Sequence, residues 1–221
     1  SVRGRVRAMN GEFSGGTAAS LGATMAALKE KPELFGILAN PFALSGGFTG
    51  PEQPADNKPM LDEKLDTWVA PFFMAPINTK NVHRSNALMN HMYGDDFCYN
   101  EMWIMGPGDD GKAAADAVSS ANPLSDAPEP GEGPSRESRE NGNYDVLFCG
   151  DINEESVHVS VSGDMDPGYG STSKMIAESA ICLVKECADL AGGIYTPAPS
   201  MGIKLIKRLQ DNAGLTFKIE N

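Results

Sequence analysis

The chain opens on an alternation. In "SVRGRVRAM", Val2, Gly4, Val6 and Ala8 fall on one side of an extended backbone and Arg3, Arg5 and Arg7 on the other. This period-two pattern predicts a strand with one covered face and one wet face. The next segment, "NGEFSGGTAASLGATMAALKEKP", changes to alanine and leucine at helical density. Ser14 or Thr17 is placed to cap its start, and Pro32 lies just past its end. Residues 33–39 predict a further helical turn. Residues 40–60 are rich in Gly, Pro, Asn and Asp and predict a long loop, a class of segment that often carries function. "TWVAPFFMA" predicts a buried strand. "PINTKNVHRSNALMNHM" predicts a helix with Pro76 near its first turn. "DDFCYNEMWIM" predicts an aromatic-rich strand.

Residues 106–133 change character to Gly, Pro and Asp around a short Ala-rich run, which predicts a flexible excursion with local helix. "SRESREN" predicts a helical turn. "YDVLFCGDI" and "SVHVSVSGDM" predict two strands joined as a hairpin, the second alternating through Val157, Val159 and Val161 with His158 on the wet side. From Ser171 to Cys187 the pattern is helical. Met175, Ile176, Ala180, Leu183, Val184 and Cys187 fall on one face, which is therefore expected to be covered. "GGIYTP" predicts a short strand, "PSMGIKLIKRLQDNAG" a helix closed by Gly214, and "LTFKIEN" a last strand. The sum is an α+β fold: a mixed, largely antiparallel sheet covered by helices. Residues 1–221 are expected to form a single domain, with the excursion at about 106–133.

Composition narrows the partners. Thirty acidic residues against 18 basic ones give a net charge of −12. Nucleic acid and anionic lipid both need clustered Lys and Arg, so neither is expected as a partner. No apolar run approaches the roughly 20 residues of a membrane span. The four cysteines lack C-x-x-C spacing and lie in apolar segments, which fits reduced core thiols. The three histidines, His83, His91 and His158, do not have metal-ligand spacing, and no metal site is expected.

Two glycine loops precede predicted helices, at "SGGT" and at "DPGYGST". Backbone N–H groups at such a start can hold an anion. Equally, a tight turn into a helix needs glycine for its conformational freedom. The chain has neither G-x-x-x-x-G-K-[ST] nor G-x-G-x-x-G, so no nucleotide fingerprint is present. At the second loop Asp164 and Asp166 would repel a phosphate. The better reading there is a helix start capped by Ser171 or Thr172. Asn78, Lys80, His83 and Arg84 form a further polar group, either an anion site or a solvated helix face.

The motifs "GEFSGGTAAS", "WVAPFFMAPINTKNVHRSNAL", "YGDDFCYNE", "PGEGPS", "GDMDPGYGSTSKMIAESAICL" and "GGIYTPAPSMGIKLIKRLQDNAGLTFKI" run in order over nearly the whole chain. Together they resemble the C-terminal part of saccharopine dehydrogenase-like oxidoreductases, in the branch called trans-acting enoyl reductases. The resemblance implies a second, substrate-side and dimerisation domain whose Rossmann partner, absent here, would carry NAD(P). No cofactor is expected on this chain itself. It implies as cleft-lining or substrate-binding candidates Gly15, Gly16, Thr17, Asn78, Thr79, Arg84, Tyr169 and Thr172, and names no catalytic residue. The implied partners are the protein's own N-terminal nucleotide domain, a larger assembly or a second copy. The alternative is a non-catalytic subunit of a larger assembly that keeps this fold. Either the cytoplasm or an organelle, after loss of a targeting peptide, is compatible with the sequence.

Overall fold

A computed structural model describes residues 1–12, 14–121 and 128–220. Seven strands form one mixed sheet, in the order β2-β3-β4-β1-β5-β6-β7. They are β1 (Val2–Asn10), β2 (Met60–Asp62), β3 (Thr67–Pro71), β4 (Tyr99–Gly106), β5 (Asn143–Ile152), β6 (Glu155–Gly163) and β7 (Leu215–Glu220). Only β1 and β4 pair in parallel; the other five described pairings are antiparallel. The helices are α1 (Gly15–Glu30), α2 (Leu34–Ala39), α3 (Ala75–Leu88), α4 (Gly108–Ser120), α5 (Arg136–Asn141), α6 (Gly170–Glu186) and α7 (Pro197–Asn212). The α+β class with a mixed sheet is thus present.

The pairing register assembles the core. Val6 lies opposite Val146, Val146 opposite Val161, and Val161 opposite Phe217. Directly paired residues share a face, so these four form one apolar row across four strands. At one end Val6 packs with Phe72 and Ala75, with Trp103 and Val146 against them. At the other, Val161 and Phe217 meet Cys182, Met201, Leu205, Leu209 and Leu215 under α6 and α7. Each buried Leu or Met contributes roughly 1.5–3 kcal/mol relative to exposure.

Five expectations change. Arg5 is not on a wet face: it is 2% exposed, its Nε donates to Asp62 Oδ2 at 2.7 Å and a guanidinium nitrogen donates to Asn100 Oδ1 at 3.0 Å. An ion pair, not water, satisfies it. The strand beginning at Thr67 ends at Pro71, and Phe72 turns into the core instead, edge-on to Trp103. Residues 192–197 form no strand, because Arg84 donates to Ile194 O at 2.6 Å and Thr196 begins α7. On α6 the predicted covered face is mostly open: Ile176, Leu183 and Val184 are exposed and Cys182 is the buried contact. Helix α3 ends at Leu88, before His91, whose backbone φ of 57° is left-handed.

The Ala-rich run of the 106–133 segment is α4, a 13-residue helix with Gly111 and Ala115 buried. Residues 122–127 of that segment lie outside the described residues. The hairpin turns through Asn153 and Glu154, and Asn153 takes the left-handed φ of 53° that a two-residue hairpin turn requires. All four cysteines are free, with Cys149 and Cys182 buried.

Candidate functional site

A cavity of about 650 Å³ lies between the end of α1, α2, the 53–57 segment, the first turns of α3 and the start of β4. That is within the ~300–1,000 Å³ typical of small-molecule sites. Leu28, Phe35 and Leu38 form a helical wall, and Pro54 and Ala55 contribute a loop wall. Gln53, Asp56, Asn57, Thr79, Lys80 and Tyr99 contribute the polar groups.

Thr79 is 7% exposed, and its Oγ1 is buried with no hydrogen-bond partner. A helical threonine ordinarily donates to the carbonyl one turn back. An unmet buried hydroxyl costs roughly 1–3 kcal/mol. Beside it, a buried network closes the cavity. The Tyr99 hydroxyl donates to Glu101 Oε1 at 2.7 Å, and Asn78 Nδ2 donates to Glu101 Oε2 at 2.7 Å. Burial pushes the Glu101 carboxyl above its ordinary range, against the lowering effect of these two donors. Burial, reinforced by Glu101, pushes the Tyr99 phenol up as well, so Tyr99 keeps its proton. Gly4 pairs with Glu101, and a Cβ there would stand 2.7 Å from Glu101 Cγ and 3.0 Å from the Tyr99 hydroxyl. Glycine at position 4 is what leaves room for this network.

Burial also raises Asp56 and lowers Lys80, whose ammonium donates to Pro76 O at 2.6 Å. Gln53 ties the floor together: its Oε1 accepts from Tyr99 N at 2.9 Å and lies 3.0 Å from His83 Nε2. His83 is 3% exposed, and desolvation lowers it to about 4.

The sequence-derived candidates divide. Thr79 lines the cavity, and Asn78 holds its polar network. Arg84 does neither: it donates to Leu44 O at 2.8 Å and Ile194 O at 2.6 Å, stapling two loops to α3. The group Asn78, Lys80, His83 and Arg84 is therefore neither one anion site nor one solvated face, because each member has a different internal partner.

Gly15, Gly16 and Thr17 begin α1, where Ser14 Oγ accepts from Thr17 N at 3.0 Å. Gly15 N donates to Glu132 O at 3.1 Å, and a Cβ at Gly15 would overlap Glu129 O at 1.8 Å. Close approach of another segment, not left-handed backbone, is what requires this glycine. At the second loop Asp166, fully buried, accepts from Gly168 N and Tyr169 N at 3.0 Å each, and from Gly170 N. Neither Ser171 nor Thr172 caps α6; the Asp166 side chain instead holds the N–H groups of the loop leading into it and of its first residue, Gly170. Ser171 instead pairs with the Tyr144 hydroxyl at 2.9 Å, and Thr172 donates to Pro167 O at 2.6 Å. The N–H groups that could cradle a phosphate already hold a carboxylate of this chain. Tyr169 is 42% exposed, its ring beside Gly133.

The two glycine loops are neighbours, since Gly11 approaches Pro167 and Gly168 approaches Glu12. One follows β1 at Asn10 and the other follows β6 at Gly163, at the same end of the sheet, whereas Tyr99 and Glu101 pair with Val2 and Gly4 at the other end of β1. Seven of the eight candidates thus belong to two places, and Arg84 to neither.

Among the described residues no group of three or more His, Cys, Asp or Glu is arranged to hold a metal ion. Nor is any described helix long and apolar enough to cross a membrane.

The chain is similar to named reductases. A Mycobacterium tuberculosis (strain H37Rv) protein, provisionally named a trans-acting enoyl reductase, is 32% identical over 234 residues, covering 92% of this chain and 56% of the relative. Trans-acting enoyl reductases of Mycobacterium ulcerans (strain Agy99) and Mycobacterium bovis (strain BCG) are 27% and 28% identical, each covering 89% of this chain and 54% of the relative. The chain spans about half the length of the curated relatives it matches. No family model matches it, and no solved structure does.

The residues that sequence reasoning missed are Tyr99, Glu101, Asp56 and Asp166. The i, i+2 spacing in "YNE" is a signal that Tyr99 and Glu101 share a strand face, and "DPG" is a turn-initiating signal for Asp166. That Gly4 lies opposite Glu101 required the parallel pairing of β1 with β4.

Proposed function

We propose that this chain is the substrate-side part of an NAD(P)-dependent enoyl reductase, of the saccharopine dehydrogenase-like type, with the nucleotide held by residues outside it. The observation that carries the reading is the collinear similarity to trans-acting enoyl reductases over 92% of the chain but 56% of the relative. The two glycine loops support the division of labour. One is filled by the backbone at Glu129 and the other by the Asp166 carboxylate, so neither fits a nucleotide phosphate.

In this reading a reduced nicotinamide, bound elsewhere, supplies hydride. The residues of this chain bind the acyl group, orient it and keep water away. The cavity beside Thr79 and Tyr99 is the place for that task. A non-catalytic subunit is the weaker reading, because the similar proteins carry reductase names.

The test is to incubate the full-length protein with NADPH and a 2-enoyl thioester and follow loss of NADPH absorbance. Consumption dependent on the enoyl substrate is expected, with residues 1–221 alone binding no NADPH. Tight NADPH binding to residues 1–221, or an enoyl thioester left unreduced, overturns the reading.

A further inference from the structure

We infer that residues 15–39, the helices α1 and α2, are a lid that closes over the cavity by bending at Gly22 and Gly36. The inference does not rest on the proposed reductase reading, since it concerns only how one wall of the cavity is held.

The segment is tied at its two ends. At the first, Gly15 is buried and its N–H donates to Glu132 O at 3.1 Å. At the second, Asn40 Oδ1 accepts from Phe42 N at 2.8 Å, and the buried Phe42 ring lies 4.4 Å from the His83 ring. Arg84 fixes the next turn through Leu44 O. Between these ties neither helix buries a residue. Segments with so little buried surface open at the low end of a protein's range of local stability.

This loosely held segment is nevertheless a wall. Leu28 from α1 and Phe35, Leu38 and Ala39 from α2 line the cavity. Phe35 is 68% exposed and Leu38 42% exposed although both line it, so the cavity stands open to water along this side. Moving the segment inward takes those side chains out of water, which supplies the driving force for closure. The facing wall is fixed. Thr79 and Tyr99 are buried, and Gln53 accepts from Tyr99 N at 2.9 Å.

Two glycines place the bends. Gly22 lies within α1 and Gly36 within α2. A Cβ at either would meet no atom within 4 Å, and neither has left-handed backbone. Packing and backbone geometry therefore do not call for glycine at these positions. What glycine does there is weaken the helix, by a factor of about five relative to alanine.

The experiment is electron paramagnetic resonance on the full-length protein, without NADPH or substrate, in a Cys98→Ser, Cys187→Ser background that removes the two partly exposed thiols. Nitroxides at Glu33→Cys and Asn81→Cys, both exposed, report the segment against α3. Nitroxides at Asn81→Cys and Thr216→Cys serve as the reference, with neither on the segment. The first pair should give two distances, the shorter being the closed lid, and the reference pair one. Phe35→Ser should lower the closed fraction about tenfold, because closure then buries no phenyl ring. It should leave the melting temperature unchanged, because the ring is open to water here. Gly22→Ala with Gly36→Ala should lower the closed fraction by at least about fivefold while melting no lower than wild type. A single distance for the first pair overturns the inference, as do two distances for the reference pair. So does a closed fraction indifferent to Phe35→Ser or to the glycine pair. None of these results bears on whether an enoyl thioester is reduced, so the reductase reading stands or falls separately.

Discussion

His83 shows how burial turns a helix residue into a pH sensor of stability. It is enclosed by Phe42 and Phe97 and paired with Gln53, and desolvation lowers it from 6.5 to about 4. Between those values the unfolded chain holds a proton that the folded chain does not, so stability rises with pH. The contribution is fully present above pH 6.5 and is lost as pH falls towards 4, a change of up to about 2–3 kcal/mol. Urea unfolding at pH 7 and pH 4.5 should show the loss, and His83→Gln should flatten that difference; an unchanged pH slope in the variant would refute the assignment. Asp166 is the other residue on which much depends. Its carboxylate takes three backbone N–H groups, two in the loop before α6 and one at its first residue, in a fully buried position. Asp166→Ala leaves them unmet and is expected to cost about 2–4 kcal/mol, read from the denaturation midpoint. Neither role was visible in the chain alone: His83 read as part of a polar helix face, and Asp166 as a charge hostile to phosphate.

The elements were largely legible, because hydrophobic period and turn chemistry are local. The first strand, the hairpin through Asn153, and the α6 and α7 helices all lie close to where the pattern put them. What the pattern could not give was which apolar face is covered. Helix α6 carries Ile176 and Val184 at 68% and 80% exposure, while Cys182 is fully buried. Ile176→Ser and Val184→Ser should therefore each change unfolding free energy by less than about 0.5 kcal/mol; a loss of 2 kcal/mol would show that these side chains are packed. Helix α7 has a break the pattern did not announce, at Gly202, where φ is 48° and ψ −131°. No neighbouring atom crowds that position, so the constraint is the backbone itself. Gly202→Ala should cost about 1–3 kcal/mol through strain alone, and thermal melting would reveal it.

Across the molecule, cover is uneven. Of α1 only Gly15 is buried, and α2 buries nothing, leaving Leu21, Met25, Phe35 and Ile37 exposed. In the proposed reductase these helices face the rest of the protein. Hydrogen exchange over residues 15–39 should then be slower in the full-length protein than in residues 1–221 alone; equal rates would remove that placement. The chain by itself determined the α+β class, most element boundaries, the acidic balance and the lack of a nucleotide fingerprint. Those follow from local period, turn residues and composition, which need no partner to be read. Only the tertiary structure decided that Gly4 makes room for Tyr99 and Glu101, that Asp166 fills the second glycine loop, and that Thr79 alone of the eight candidates lines the cavity. Each depends on which strand lies beside which and on whose donor has already been taken. Pairing register and hydrogen-bond satisfaction join residues far apart in the chain, so no window of sequence contains them.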